Sequence, residues 1–255
     1  MNRLNDSIAV FDSGVGGLSV LRCLRRELPG ERFLYFGDSA NAPYGTRPTQ
    51  EIRDLTFAAA EYLAAKGIKA LVVACNTATS AAICQLRSAY PSLIVIGIEP
   101  ALKPAADAFP GGRIGVMATP LTLREEKFRE LVAHYKKSCT VLPIPAPGLV
   151  ELVEAGKGDS PEADVLLREL FSPPERQDLD ALVLGCTHFP FVEKSLRRVL
   201  GGQVRLFDGG PGTARETRRR LECAGLLENG AGSLVIENSS GKPAMLELSR
   251  KLLEE

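Results

Sequence analysis

Leu71-Val72-Val73-Ala74-Cys75-Asn76-Thr77 and Ala181-Leu182-Val183-Leu184-Gly185-Cys186-Thr187-His188 are the stretches whose reading decides the fold. Each is an unbroken aliphatic run that stops at a cysteine and passes into polar residues. Runs without polar alternation suit strands covered on both faces, as in a parallel sheet. The two strands read as Ala70–Ala74 and Ala181–Gly185, and six more runs are strand candidates, most of them continuous and apolar: Ile8–Phe11, Phe33–Phe36, Leu93–Ile98, Ile114–Ala118, Thr140–Ile144 and Val204–Phe207. Helical patterns lie between them. In Thr49–Lys66, Ile52, Leu55, Ala59, Tyr62 and Leu63 fall on one stripe, Pro48 precedes the start, and Gly67 sits where a C-terminal glycine cap belongs. Strand, helix, strand in repetition predicts an α/β fold with parallel sheets.

The order of the runs suggests an internal duplication. I-A-V-F-D-S-G at residue 8 aligns with I-G-V-M-A-T-P at 114, A-C-N-T at 74 with G-C-T-H at 185, and V-I-G-I-E-P at 95 with V-R-L-F-D-G at 204. Three pairs in the same order, at a separation of about 110 residues, are what a repeated architecture leaves behind. Ligands of parallel α/β sheets sit beyond the carboxyl ends of the strands. Two such sheets face to face place Cys75 and Cys186 on opposite sides of one cleft, the arrangement a two-base proton exchange needs.

Composition narrows the field. The 255 residues carry 31 basic and 31 acidic side chains, so no broad attraction to nucleic acid or to an anionic membrane is implied. No run approaches the ~20 apolar residues that span a bilayer, and the opening M-N-R-L-N-D-S lacks a signal-peptide core, so a soluble, cytoplasmic protein is expected. Cys23, Cys75, Cys84, Cys139, Cys186 and Cys223 form no C-x-x-C pair, which disfavours a disulfide framework or a metal site and favours free thiols.

Both motif cysteines occupy a strand-to-helix turn, where free N–H groups and the helix dipole are expected to depress a thiol from its ordinary value of about 8.5. The other four cysteines read as small packed residues. Asp12 and Ser13 end the first strand, where a carboxylate is placed to tune a thiol or hold an ammonium group. The following Gly14-Val15-Gly16-Gly17 reads as a tight turn rather than an anion cradle, since it lacks the lysine and spacing of a phosphate loop. Asp38-Ser39-Ala40-Asn41-Ala42-Pro43-Tyr44-Gly45 is either plain turn chemistry or a loop whose backbone meets a small carboxylate. His188, two residues after Cys186, can pass a proton or orient a carboxylate, whereas His134 lies in a charged surface helix. Glu151 and Glu154 lie near one helix face, and spacing does not choose between them.

Together the motifs resemble the aspartate/glutamate racemase family, and its glutamate-specific members in particular. The matches are A-V-F-D-S-G-V-G-G-L-S-V from residue 9, Y-F-G-D-S-A-N-A-P-Y-G-T-R-P from 35, V-A-C-N-T-A-T from 73, I-G-I-E-P-A from 96, G-V-M-A-T-P-L-T from 115 and G-C-T-H-F-P from 185. Aspartate racemases tend to carry glutamate after the second C-T, where this chain has His188. The resemblance implies cofactor-independent racemisation of glutamate, supplying D-glutamate for bacterial peptidoglycan, with neither pyridoxal phosphate nor metal. It implies Cys75 as the base for D-glutamate and Cys186 as the base for L-glutamate, assisted by Asp12, His188 and Glu154. Glu151 stands before the last where the family commonly has proline. Substrate contacts carry over to Asp12, Ser13, Pro43, Tyr44, Gly45, Asn76, Thr77, Thr119, Thr187 and His188. The implied fold is two α/β domains related by pseudo-twofold symmetry, each a mainly parallel sheet flanked by helices, with the active site in the cleft. The domains would be residues 1–98 with 208–255, and 99–207. A homodimer is implied as well, and the tail after Ser233 is read as a short strand and a terminal helix that serve packing.

Rival readings remain open at this point. One is a racemase of another acidic amino acid such as aspartate. A pyridoxal mechanism lacks a lysine in a strand-end motif. A cysteine hydrolase with Cys186 as nucleophile and His188 as base leaves Cys75 without a role. A non-catalytic amino-acid-binding module has no need of two cleft thiols.

Overall fold

A computed structural model describes residues 4 and 6–254; the outer domain limits expected at residues 1 and 255, and most of the segment opening M-N-R, lie outside the described residues. The first part of the chain runs β1 (Ser7–Asp12), α1 (Leu18–Glu27), β2 (Arg32–Gly37), α2 (Thr49–Ala64), β3 (Ile68–Val73), α3 (Asn76–Ala89) and β4 (Ile94–Gly97). A second series follows: α4 (Leu102–Ala108), β5 (Arg113–Ala118), α5 (Pro120–Arg124), α6 (Glu126–Tyr135), β6 (Thr140–Pro145), α7 (Leu149–Glu154), α8 (Pro161–Leu170), β7 (Ala181–Leu184), α9 (Glu193–Leu200) and β8 (Arg205–Asp208). The chain closes with α10 (Gly210–Cys223), β9 (Ser233–Asn238) and α11 (Pro243–Glu254). The expected strands are all present, their ends shifted by at most two residues. Helix α2 stops two residues before its expected end, and Gly67 takes the left-handed φ of +74° beyond it.

The strands form two sheets, β4-β3-β1-β2-β9 and β6-β5-β7-β8, and every pairing is parallel. Read from the other edge, the second sheet is β8-β7-β5-β6, the same order as β4-β3-β1-β2 four strands earlier. The repeat seen in the sequence is therefore a repeat of topology. Within each strand the side chains alternate between two cores. Ile8 and Val10 join a central core that continues into Met117, Ile144, Leu149 and Phe189 of the second domain. Ala9 and Phe11 face an outer core with Leu34, Ile52 and Leu71, and Ile114 and Val116 face a third under α4 and α6. Two apolar faces explain why the strands show no polar alternation. Among the described residues no helix is long and apolar enough to cross a membrane.

The returning tail is fastened at two places. Strand β9 extends the first sheet beside β2, with Arg32 opposite Ser233 and Gly37 opposite Asn238. At the amino end of the sheet the fully buried Lys69 Nζ lies 2.6 Å from Glu31 Oε2 and donates to the carbonyls of Leu4 (2.8 Å) and Leu226 (3.0 Å), while Glu31 Oε1 accepts the Glu228 N–H at 2.8 Å. A buried charge left alone costs far more than the pair contributes. Lys69→Met should therefore lower the unfolding free energy by about 3–5 kcal/mol in a denaturant titration. Lys69→Met combined with Glu31→Leu should recover part of that loss; equal losses in the single and double variants would show that the ion pair is not what holds the node.

Candidate active site

Each sheet changes its direction of winding at its first strand. From β1 the chain moves outward to β2, then crosses back to β3 on the other side; β5, β6 and β7 do the same. At such a switch point the helices diverge and leave a crevice beyond the strand ends. Asp12 and Ser13 close β1, Cys75 lies two residues beyond β3, Thr119 follows β5, and Cys186 lies two residues beyond β7. The two crevices face each other and share one cavity of about 50 Å3. Both sulfurs line it, together with Ser13, Pro43, Tyr44, Gly45, Asn76, Thr77, Thr119, Thr187 and His188. Of the residues singled out from sequence, Asp12 and Glu154 stand behind this wall, hydrogen-bonded to Thr187 and His188 respectively.

Cys75 is the N-cap of α3, and its sulfur faces the Ala78 N–H and the Ser13 hydroxyl, each at 3.5 Å. The expectation that the helix terminus depresses this thiol is overturned. Burial pushes Cys75 up to about 12, the neighbouring Asp12 charge adds to the rise, and the bonds from Ser13 and Ala78 only partly oppose it. Desolvation outweighs a helix dipole when the sulfur is almost wholly enclosed. Asp12 is itself fully buried and raised by that burial, against the pull of the His188 charge, the Gly14 N–H (2.9 Å) and the Thr187 hydroxyl (2.9 Å).

The surroundings of Cys186 differ. Its sulfur lies 3.7 Å from His188 Nδ1, and His188 Nε2 lies 2.8 Å from Glu154 Oε1. Burial alone would lower His188, but the contacts with Cys186 and Glu154 outweigh it and hold the imidazole well above its ordinary value. Burial would likewise raise Glu154, yet His188, the Val15 N–H and Ser39 together take it below the usual carboxylate range. The pair is thus imidazolium and carboxylate at neutral pH. Glu154 Oε1 accepts the Val15 N–H at 2.8 Å and Oε2 meets the Ser39 hydroxyl at 3.5 Å. The glycine run expected to be only a turn therefore does receive an anion, and the anion is the protein's own carboxylate. A Cβ on Gly14 would overlap that carboxylate, and one on Gly16 would overlap the His188 ring.

Structure separates the two glutamates that spacing could not: Glu154 reaches His188, whereas Glu151 is exposed at the rim of the cavity. The Asp38–Gly45 loop combines both of its readings. Asp38 accepts the Tyr44 hydroxyl (2.6 Å) and the Asn41 amide, which is turn chemistry, while Pro43, Tyr44 and Gly45 face the cavity. His134 is exposed, as expected. All six cysteines are free; Cys139 is buried, Cys23 is half-buried, and Cys84 and Cys223 are exposed rather than packed.

Several residues of the site carried no recognisable signal. Thr122 closes a triangle of hydroxyls with Thr77 (3.2 Å) and Thr119 (2.9 Å) across the domain boundary. Ser19 Oγ donates to the Thr187 carbonyl at 2.9 Å. Tyr35, on β2, donates to the Gly14 carbonyl at 2.6 Å. The tail does more than pack: Asn238 Nδ2 donates to Ser39 Oγ (2.9 Å), and Ser239 Oγ accepts the Ala40 N–H (3.0 Å).

A fold of this order, with two thiols at matched strand ends, is that of an amino-acid racemase. The family model for Asp/Glu/Hydantoin racemase matches residues 8–217, and the chain belongs to that family. It is thereby an isomerase. A glutamate racemase of Clostridium botulinum is 48% identical over 256 residues, covering 100% of this chain and 99% of its own. The crystal structure of a glutamate racemase isoform from Bacillus anthracis superposes with a TM-score of 0.88 at 30% identity, covering 98% of this chain and 94% of that one. The Escherichia coli glutamate racemase, solved with L-glutamate and the activator UDP-MurNAc-Ala, gives 0.85 at 31% identity over 98% and 94% of the two chains.

The state of Cys75 is open to a direct check. A thiol ionising near 12 gains thiolate steadily through the working range, whereas an ordinary one saturates. Iodoacetamide labelling of the free protein, followed by peptide mass spectrometry, should mark Cys84 and Cys223 first. The Cys75 rate should climb roughly tenfold per pH unit from about pH 7 to 10. A Cys75 rate that levels off near pH 9 would contradict this account.

Proposed function

We propose that the protein interconverts L- and D-glutamate by proton exchange between two thiols and the substrate α-carbon, without cofactor. Cys186 takes the proton of the L-enantiomer while Cys75 delivers one to the opposite face, and the roles reverse for the D-enantiomer. The reading is carried by one observation: Cys75 and Cys186, at equivalent strand ends of two sheets of the same order, line a single cavity. The full-length likeness to glutamate racemases supports glutamate as the substrate.

The geometry suits the chemistry. An amino-acid α-hydrogen is a very weak acid, so the site must position a base closely and stabilise the charge that forms. Burial keeps Cys75 a thiol, ready to donate, and a substrate ammonium arriving beside Asp12 would draw it toward thiolate. A charge forming on Cys186 meets the imidazolium of His188, which Glu154 holds in place. Asn76, Thr77, Thr119 and Thr187, with Ser13 and the Tyr44-Gly45 backbone, supply the donors around the substrate's carboxylates, and Pro43 lines the wall beside them. The two working forms hold the same number of protons, and differ only in which sulfur carries one.

The remaining parts of the proposal follow the family. Residues 1–98 with 208–255, and 99–207, are the two domains that flank the cleft. The enzyme acts in the cytoplasm as a homodimer and supplies D-glutamate for cell-wall synthesis. The Cys186-His188-Glu154 chain is one that a hydrolase could also use, but that role leaves a second thiol in the same cavity idle.

Metal-free protein incubated with D-glutamate in heavy water decides among these readings. Loss of circular dichroism should accompany deuterium entering the new L-glutamate while unreacted D-glutamate stays protonated early on. Cys75→Ala and Cys186→Ala should each lower kcat at least ~1000-fold, since each removes one acid/base group outright. Full activity in either variant would sink the two-thiol assignment, and binding without exchange would favour a non-catalytic module.

A further inference from the structure

One peptide unit, that joining Gly14 to Val15, is held at both ends. Its carbonyl accepts the Tyr35 hydroxyl at 2.6 Å, and its N–H donates to Glu154 Oε1 at 2.8 Å. Glu154 in turn meets His188 Nε2 at 2.8 Å, and His188 Nδ1 faces Cys186 at 3.7 Å. An unbroken line of hydrogen bonds thus runs from a tyrosine on the first sheet to a thiol on the second. We infer that Tyr35 is a positioning residue for His188, acting through the Gly14–Val15 peptide and Glu154.

Nothing in the backbone itself orients that peptide. Gly14 has no side chain, and Gly16 and Gly17 follow, so the backbone here is soft. The carbonyl is buried and must have a donor. Tyr35 is fully buried, its strand is paired on both sides, and its ring is packed in the central core with Ile8 and Val10, so its hydroxyl is a fixed point. A donor on the carbonyl aims the N–H of the same peptide, and bonds in series polarise one another. Without the hydroxyl the peptide is free to turn in search of a new donor, Glu154 loses its anchor, and the ion pair with His188 loosens.

Three ionisable groups face His188: Glu154 from α7, Cys186 from its own turn, and Asp12 from the end of β1. Asp12 is reached through the Gly14 N–H, which belongs to the preceding peptide. A route through Asp12 is therefore the alternative that an experiment must separate. The inference relies on the proposed roles of His188 and Cys186 only for its kinetic consequence.

The test uses the chain's two histidines, His188 and the exposed His134, whose ring signals can be followed by NMR across a pH series. Tyr35→Phe keeps the ring and removes the hydroxyl. His188 should then lose its proton roughly one pH unit lower than in the unaltered protein, as expected when an ion-pair contact weakens, while His134 stays put. Glu154→Gln should lower it at least as far, and adding Tyr35→Phe to Glu154→Gln should change nothing more. As a reverse arm that leaves Tyr35 in place, Glu154→Gln should shift the Tyr35 phenol carbon resonance. An unmoved His188 in Tyr35→Phe, or an equal shift in the Glu154→Gln background, overturns the inference. In racemisation assays kcat/KM should fall about tenfold in Tyr35→Phe. The fall must be equal in both directions because the enantiomers have the same free energy. A protein that does not racemise glutamate would void that last figure alone and leave the titration decisive.

Discussion

The carboxylate of Glu154, seated on the Val15 N–H, is the contact on which the rest of the site depends. It crosses from the second domain to the loop after β1, and it is mostly out of solvent. A charge in that position must be answered on every side. His188 answers it with a cation, Val15 with a backbone dipole, and Ser39 with a hydroxyl. Each answer imposes a further condition. The backbone must come close, so Gly14 and Gly16 can carry no side chain. The helix α7 must end where it does, and the loop after β2 must stay near enough for Ser39 to reach. A single ionised group thereby dictates features on three loops and both sheets.

Duplication and asymmetry coexist here. The strands repeat in order, and the cysteines repeat in place, yet the groups beside them do not match. Asp12 corresponds to Ala118, and His188 corresponds to Thr77. The first thiol sits among a buried carboxyl, a serine and a helix N-terminus, the second beside an imidazolium. In the proposed exchange the two working forms differ only in where one proton rests. The unequal surroundings hold Cys75 in its thiol form through burial and the neighbouring Asp12 charge. The scaffold repeats, and the side chains set into it do not.

Much of this was legible in the residues themselves. Continuous apolar strands announce a sheet covered on both faces, and the three aligned pairs announce its repetition, because strand ends in a repeated fold must keep their chemistry as well as their spacing. The cysteines stood out for the same reason. The state of Cys75 did not, since position at a helix terminus is visible in a sequence whereas depth of burial is not, and burial won. Glu154 could not be separated from Glu151 because both lie near one helix face, and only the partner across the domain boundary distinguishes them. Tyr35 was hidden by its own type: an aromatic residue in an apolar strand looks like packing until its hydroxyl is traced to a carbonyl 21 residues earlier in the chain. Ser39 and Asn238 were hidden by distance, being 199 residues apart.

That last separation bears on how the molecule comes into being. During synthesis the chain emerges from the ribosome in order, and the second sheet, which is local in the chain, has all its strands before β9 is made. The first sheet has to wait with one edge open, because the strand that flanks β2 and steadies Ser39 is translated after every other strand among the described residues. The loop that supports Glu154 is thus finished only when the tail has folded back. A chain stalled before β9 holds both thiols and lacks the brace beneath one wall of the cleft, so the late strand completes a wall that the early ones begin.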